Sequence, residues 1–246
     1  MSMGNYLRYL AGVSAAMVLA VVATGAAGAD AMELEAVLSA PMASNLVRSE
    51  TGDSIAWAEN RAGRRSVQVA EAPGYAPREV YSLEGDRGEP LSELTLSADG
   101  ALLAFARGGG PNAFGVDANP ASLPLGGTRE VVLLRTADGA TVSLGAGRPA
   151  AFSPDGATLL LERGGGLYRV ATASAFTEDA PEPEALLALQ GKTGSAVFSP
   201  SGDRIAFVSA RRAKHSLIGV LDLASDAVTW IAPSAWRDEQ PTWSPD

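Results

Sequence analysis

Apolar and polar residues alternate along this chain in short bursts, and the bursts recur. Each is an apolar run, then a turn rich in Ser, Pro, Asp and Gly, then a second apolar run. "RSETGDSIAWA" begins at Arg48, "LSADGALLAFA" at Leu96, "FSPDGATLLLE" at Phe152 and "FSPSGDRIAFV" at Phe198, and a last "WSPD" starts at Trp243. The turn serines are Ser49, Ser97, Ser153, Ser199 and Ser244, at intervals of 48, 56, 46 and 45 residues. Self-similarity of that length marks a repeat architecture.

The pattern within one copy predicts the elements. Gly52, Gly100, Gly156 and Gly202 are placed to supply the positive φ of a hairpin, which a residue with a Cβ adopts poorly. Three residues on come Ile55, Leu103, Leu159 and Ile205, and two beyond those Trp57, Phe105, Leu161 and Phe207. Strand side chains alternate, so each such pair shares one face. The residue between them (Ala56, Ala104, Leu160 or Ala206) is also apolar, as a strand covered on both sides requires. A second hairpin follows in each copy, clearest in "EVVLLRTADGATVSLG" and "LIGVLDLASDAVTWIA". Two hairpins per period make a four-stranded antiparallel sheet, one blade of a β-propeller. The predicted fold is therefore all-β: over residues 30–246, about four blades and the start of a fifth. Helical periodicity is scarce outside "MELEAVLSA".

Strand order sorts the connections onto two faces. The turns after strands one and three share one face. The connections from strand two to three, and from blade to blade, share the other. That second face receives the long segments 107–128, 210–216 and 233–241, and loops of this length are functional or disordered. Within them, Arg211, Arg212, His215, Arg237, Asp238 and Glu239 are the candidates for contact with a substrate or a neighbouring domain. The basic "ARRAKH" is either a solvated loop or a contact for an acidic partner surface or a substrate carboxylate.

Composition narrows the function. The first 29 residues read as a cleaved signal peptide: Arg8, then the apolar "LAGVSAAMVLAVVA", then "AGA" before Asp30. The apolar core is shorter than the roughly 20 residues of a spanning helix, so the expectation is an exported protein, periplasmic or secreted, with no membrane anchor after cleavage. Cysteine is absent, which removes disulfides, thiol catalysis and Cys-ligated zinc, and His215 is the one histidine. A net charge of −9 argues against nucleic acid or anionic lipid as partners. "GAGRPA" at 145–150 fits a dinucleotide fingerprint, but a strand rather than a helix follows it, so no cofactor is expected. Asp99, Asp155 and Asp246 stand one per turn, where turn chemistry accounts for them better than a metal does.

The lead-in "LEAVLSAPMASNLVRSETGDSIAWAEN", the phrase "VQVAEAPGYAPREVYS" and "FSPSGDRIAFVSARRAKHSLIGVLDLASDAVTWIAP" resemble exported bacterial serine peptidases of the prolyl oligopeptidase family, which includes dipeptidyl peptidase IV. The resemblance spans 30–246. It implies a propeller of seven or eight blades that restricts access to short peptides, followed by an α/β-hydrolase domain with a Ser-Asp-His triad. This chain has no G-x-S-x-G elbow for such a serine, so no catalytic residue is carried over and the chain alone is expected to be inactive. The "FSPDG…IAF" unit is also shared by TolB-like propellers, so the rival expectation is a non-enzymatic periplasmic module that binds proteins. The ending "QPTWSPD" reads as a blade interrupted after its first strand, with open flanks that would favour association.

Overall fold

The computed structural model describes residues 37, 39–50, 52–84, 89–109, 129–177, 182–211 and 215–244. The predicted signal segment 1–29, Asp246, Arg212 and most of the 107–128 loop lie outside the described residues.

Four four-stranded sheets follow one another along the chain, each in simple sequential order and antiparallel throughout. The first contains β1 (Met42–Arg48), β2 (Ser54–Arg61), β3 (Arg64–Glu71) and β4 (Arg78–Ser82). The second contains β5 (Leu91–Leu96), β6 (Leu102–Arg107), β7 (Glu130–Arg135) and β8 (Thr141–Ala146). The third contains β9 (Arg148–Phe152), β10 (Thr158–Arg163), β11 (Gly166–Ala171) and β12 (Glu184–Leu187). The fourth contains β13 (Lys192–Phe198), β14 (Arg204–Ala210), β15 (Ser216–Asp222) and β16 (Val228–Ile231). All four belong to one compact unit, Pro41–Asp246. One helical turn, α1 (Thr172–Ala175), follows β11, which the strand pattern does not anticipate. Its Thr172 hydroxyl donates to the carbonyl of Gly156 at 2.7 Å, as the Thr136 hydroxyl does to Gly100 at 2.8 Å one blade earlier.

The hydrophobic core is three clusters in series. The pair Leu103 and Phe105 of β6 packs on Ala56, Ala58 and Val67 of the first sheet. Leu159 and Leu161 pack with Ala104 and Leu133 of the second, and Ile205 and Phe207 with Leu160 and Leu167 of the third. In blades two to four, then, the pair of strand two faces the preceding blade, and in blades one to three the residue between (Ala56, Ala104 or Leu160) faces the next. Burial on both faces explains why these strands read as continuous apolar runs. The first blade shows the converse. Ile55 and Trp57 are half-buried, because among the described residues no sheet precedes them. Phe207 is accommodated by Gly219 opposite it on β15, where a Cβ would come within 2.5 Å of its ring.

The turns are built from the periodic serines. In all four blades the serine Oγ accepts the N–H of the residue five positions on, from Ser54, Leu102, Thr158 and Arg204. Ser97 and Ser153 also donate to Asp99 and Asp155, at 2.7 and 2.5 Å. Gly100, Gly156 and Gly202 have φ of 77°, 69° and 76°, as a hairpin glycine should. Gly52 does not share that left-handed φ, and its constraint is space. Its N–H donates to Ala98 O at 3.2 Å, and a Cβ there would meet Asp99 O at 3.0 Å. Successive turns therefore touch, and they lie on one face. The connections at 62–63 and 164–165, and the ends of β14 and β15 at Ala210 and Ser216, lie at the opposite ends of the sheets, as strand order requires.

Candidate functional site

The first strands of the four sheets, β1, β5, β9 and β13, lie side by side and make the inner lining. Each carries a bulge. Asn45 and Leu46 oppose Trp57 alone, Glu93 and Leu94 oppose Phe105, and Ser195 and Ala196 oppose Phe207. Asn45, Glu93 and Ser195 have φ of 53°, 54° and 51°, the left-handed region that residues with a Cβ seldom adopt. Gln240, four residues before Ser244, repeats the feature with φ of 56°. The third blade has Pro149 at this position. Its ring holds φ near −65°, so Pro149 pairs with Leu161 and the two-for-one step moves on to Ala150 and Ala151.

A bulge turns a backbone N–H out of its ladder, and here side chains of preceding strands receive it. Asn45 Oδ1 accepts from Glu93 N at 3.4 Å, and Glu162 Oε1 accepts from Ser195 N at 2.6 Å. The other Glu162 oxygen takes Nε and Nη2 of Arg148, at 2.8 and 2.5 Å. Arg148 reaches Glu93 at 3.4 Å, and Arg129 reaches the same Glu93 oxygen at 3.3 Å. Burial alone would lower the Arg148 guanidinium, but Glu162 and Glu93 outweigh it and hold it above its ordinary value. Glu93 Oε2 and Arg129 Nε are buried and make no hydrogen bond. The result is a charged network across three blades at the end of the lining away from the serine turns. Beside it opens a cleft of about 570 Å³, and at the turn end β5, β9 and β13, with Glu50 and residues 241–243, line another of about 380 Å³.

The residues singled out from sequence lie elsewhere on the loop-bearing face. Arg211 donates to Gln190 O at 2.6 Å and sits 5.5 Å from the Trp230 ring centroid. His215 makes a 2.8 Å hydrogen bond between Nε2 and Ser234 O. Asp238 accepts from the Ser234 hydroxyl at 2.7 Å, and its N–H donates to Ser216 O at 3.1 Å. Arg237 pairs with Glu239 at 2.5 Å. The structure thus joins the 210–216 and 233–241 loops to each other, and among their described residues none has a hydrogen bond or ion pair to the charged network. Arg212 lies outside the described residues. Glu93, Arg129, Arg148, Glu162 and Ser195 were not singled out. A signal was present, since a residue that is polar wherever it is not proline stands four before every repeat serine. Among the described residues, no three His, Asp or Glu side chains come together in a metal-binding group.

No family model matches the chain, and no curated protein matches it in sequence. Solved structures match it in fold. TolB from Acinetobacter baumannii superposes with a TM-score of 0.54 at 15% identity, over 80% of this chain and 45% of that one. A putative TolB from Agrobacterium tumefaciens does so with 0.55 at 20% identity, over 83% and 66%. A structure from work on two prolyl endopeptidases, concerned with inter-domain dynamics in catalysis and specificity, gives 0.59 at 10% identity, over 80% and 30%. At such identities the likeness is one of fold: this is a β-propeller of four-stranded blades, spanning less than half of two of these structures and 66% of the third. Among the described residues no helix is long and apolar enough to cross a membrane.

Proposed function

We propose that this chain is the substrate-gating propeller region of an exported serine peptidase of the prolyl oligopeptidase type, with Asp30 as the mature N-terminus. Its parent would hydrolyse short peptides through a hydrolase domain encoded beyond these residues. The observation that carries the reading is the inner lining. It is polar and charged at the loop-bearing end, where an extended peptide has both amide groups and charges to satisfy. Paired arginines and carboxylates of this kind orient a peptide without holding it tightly, which suits a passage better than a store. The linked 210–216 and 233–241 loops, with Arg211, Arg212, His215, Arg237, Asp238 and Glu239, would meet the hydrolase domain on that same face. In the parent, a serine hydroxyl would attack the peptide carbonyl and water would release the acyl group. The residues of this chain would admit and align the peptide and take part in neither step.

The test is a fluorophosphonate serine probe applied to the exported fraction of the source cells. Peptides from 41–246 should be recovered from a labelled polypeptide longer than this chain, while the isolated chain stays unlabelled. Recovery from an unlabelled polypeptide of any length would overturn the reading. That outcome would favour the second one, a TolB-like module that binds proteins without chemistry. Its support is that both TolB structures share more sequence with this chain, 15% and 20%, than the prolyl endopeptidase does at 10%.

A further inference from the structure

One row of strand three is apolar in three blades and charged in the other. Ala56, Ala104 and Ala206 of strand two pair with Val69, Leu133 and Val220, whereas Leu160 pairs with Arg169. Leu160 faces the fourth blade, so Arg169 stands at the junction of the third and fourth. There it lines a cleft of about 230 Å³ on the turn face, beside the turns that follow Ser153 and Ser199. The floor is Leu160, Leu186, Phe198, Ile205 and Leu223, continuous with the apolar cluster that joins the two blades.

One junction earlier the chain fills this place itself. The connection leaving β11 begins with α1 and Phe176, and Ala175 and Phe176 pack with Leu133 between the second and third blades. Leu133 and Ala175 are fully buried, and the Arg135 guanidinium lies 4.8 Å from the Phe176 ring centroid. In the fourth blade the corresponding connection is only 223–227, and it brings Leu223 to the cleft. Arg169 donates from Nε to Glu184 at 3.0 Å, and its side chain stays 44% exposed. Arg135, Arg163 and Arg211 each lie over an aromatic ring, and among the described residues Arg169 has none. The other charged group on the wall, Asp155, is turned in on its own hairpin, where Oδ1 accepts from Ser153 and Ala157.

The cleft is smaller than the roughly 300–1,000 Å³ of a small-molecule pocket, which suits it to a single side chain. An apolar floor with a guanidinium on the wall is complementary to an aromatic ring, whose face is electronegative. We propose that this cleft takes an aromatic side chain presented by a partner protein, with the ring on the apolar floor and its face toward Arg169. The proposal does not depend on the peptidase reading, because the cleft opens at the end of the blades away from the charged network.

NMR titration of the 246-residue chain, methyl-labelled at Ile and Leu, tests it with N-acetyl-phenylalanine amide and its ring-saturated cyclohexyl analogue. The aromatic ligand should shift the methyl signals of Leu160, Leu186, Ile205 and Leu223 saturably. It should bind about two- to fivefold more tightly than the analogue, the scale of an exposed cation–π contact. Arg169→Leu, which supplies the residue type that Leu133 has one blade earlier, should bind both ligands equally and still perturb the same methyls. Equal affinities in the unaltered chain, or a preference that survives Arg169→Leu, would overturn the role of Arg169 and with it the choice of an aromatic ring. Shifts confined to other residues, or none that saturate, would overturn the site. Tighter binding of free phenylalanine than of the capped form would assign the cleft to a free amino acid and overturn the partner protein.

Discussion

Ser49, Ser97, Ser153 and Ser199 are all buried, and each closes its own hairpin by accepting the first N–H of the next strand. The aspartates beside them share the work. The Ser153 hydroxyl and then the Ala157 N–H hold Asp155 below the usual carboxylate range. Asp99 is lowered by the Ala101 N–H and then Ser97, and Asp203 by Ser201 and Ser199. A carboxylate whose pKa is depressed on folding stabilises at pH above its unfolded value, about 4, and that contribution is lost as pH falls through the folded value. Stability should therefore decline on acidification below about pH 4. Asp155→Asn keeps the acceptor oxygen but cannot titrate, so its thermal midpoint should fall less steeply there than that of the unaltered chain. Parallel acid limbs for the two proteins would remove the turn aspartates from the explanation. The spacing of these serines was legible in the sequence. Their role was not, because spacing shows that a position recurs and not which N–H it accepts.

Strand two of each blade was legible down to the facing of single side chains, since burial on both sides leaves an unbroken apolar run. Strand one was not. Its bulge depends on a left-handed φ at Asn45, Glu93 and Ser195, three residue types that share polarity but no common preference for that conformation. The charged network was equally hidden. Glu93 and Arg148 are 55 residues apart and meet only because inner strands of consecutive blades lie side by side. Gly194 shows how tightly Glu162 is held, since a Cβ there would fall 2.6 Å from Oε2. Gly194→Ala should displace the carboxylate from Arg148 and from Ser195 N, costing about 1–3 kcal/mol in urea melts, the range for a disturbed charged hydrogen-bond group. In a Glu162→Ala background the same substitution should cost much less, because the obstacle is gone. Strictly additive losses would mean that Gly194 matters for some reason other than Glu162.

At the scale of the whole molecule, each blade buries its large pair against the one before it, and the first has no such partner among the described residues. Met42 and Leu46 of β1 are 71% and 69% exposed, and Ile55 and Trp57 are half-buried. Uncovered apolar surface next to a strand edge promotes association. Light scattering on the 246-residue chain should show self-association that rises with concentration and falls in Leu46→Lys. A concentration-independent monomer in both proteins would mean that this flank is not sticky. The bulges bear on a different hazard, that of near-identical parts assembled in the wrong order. The serine turns and strand-two pairs of the blades are close to interchangeable, so on their own they would let one copy of the chain lend a blade to another. The bulge contacts carry an address. The N–H of Glu93 fits the amide oxygen of Asn45, that of Ser195 fits Glu162, and Pro149 has no N–H to offer. Put the third blade where the second belongs, and Asn45 loses its donor while Arg148 faces no Glu93. The same few side chains that charge the lining thus tell the second blade from the third, and sequence order keeps contacts that their exchange would break.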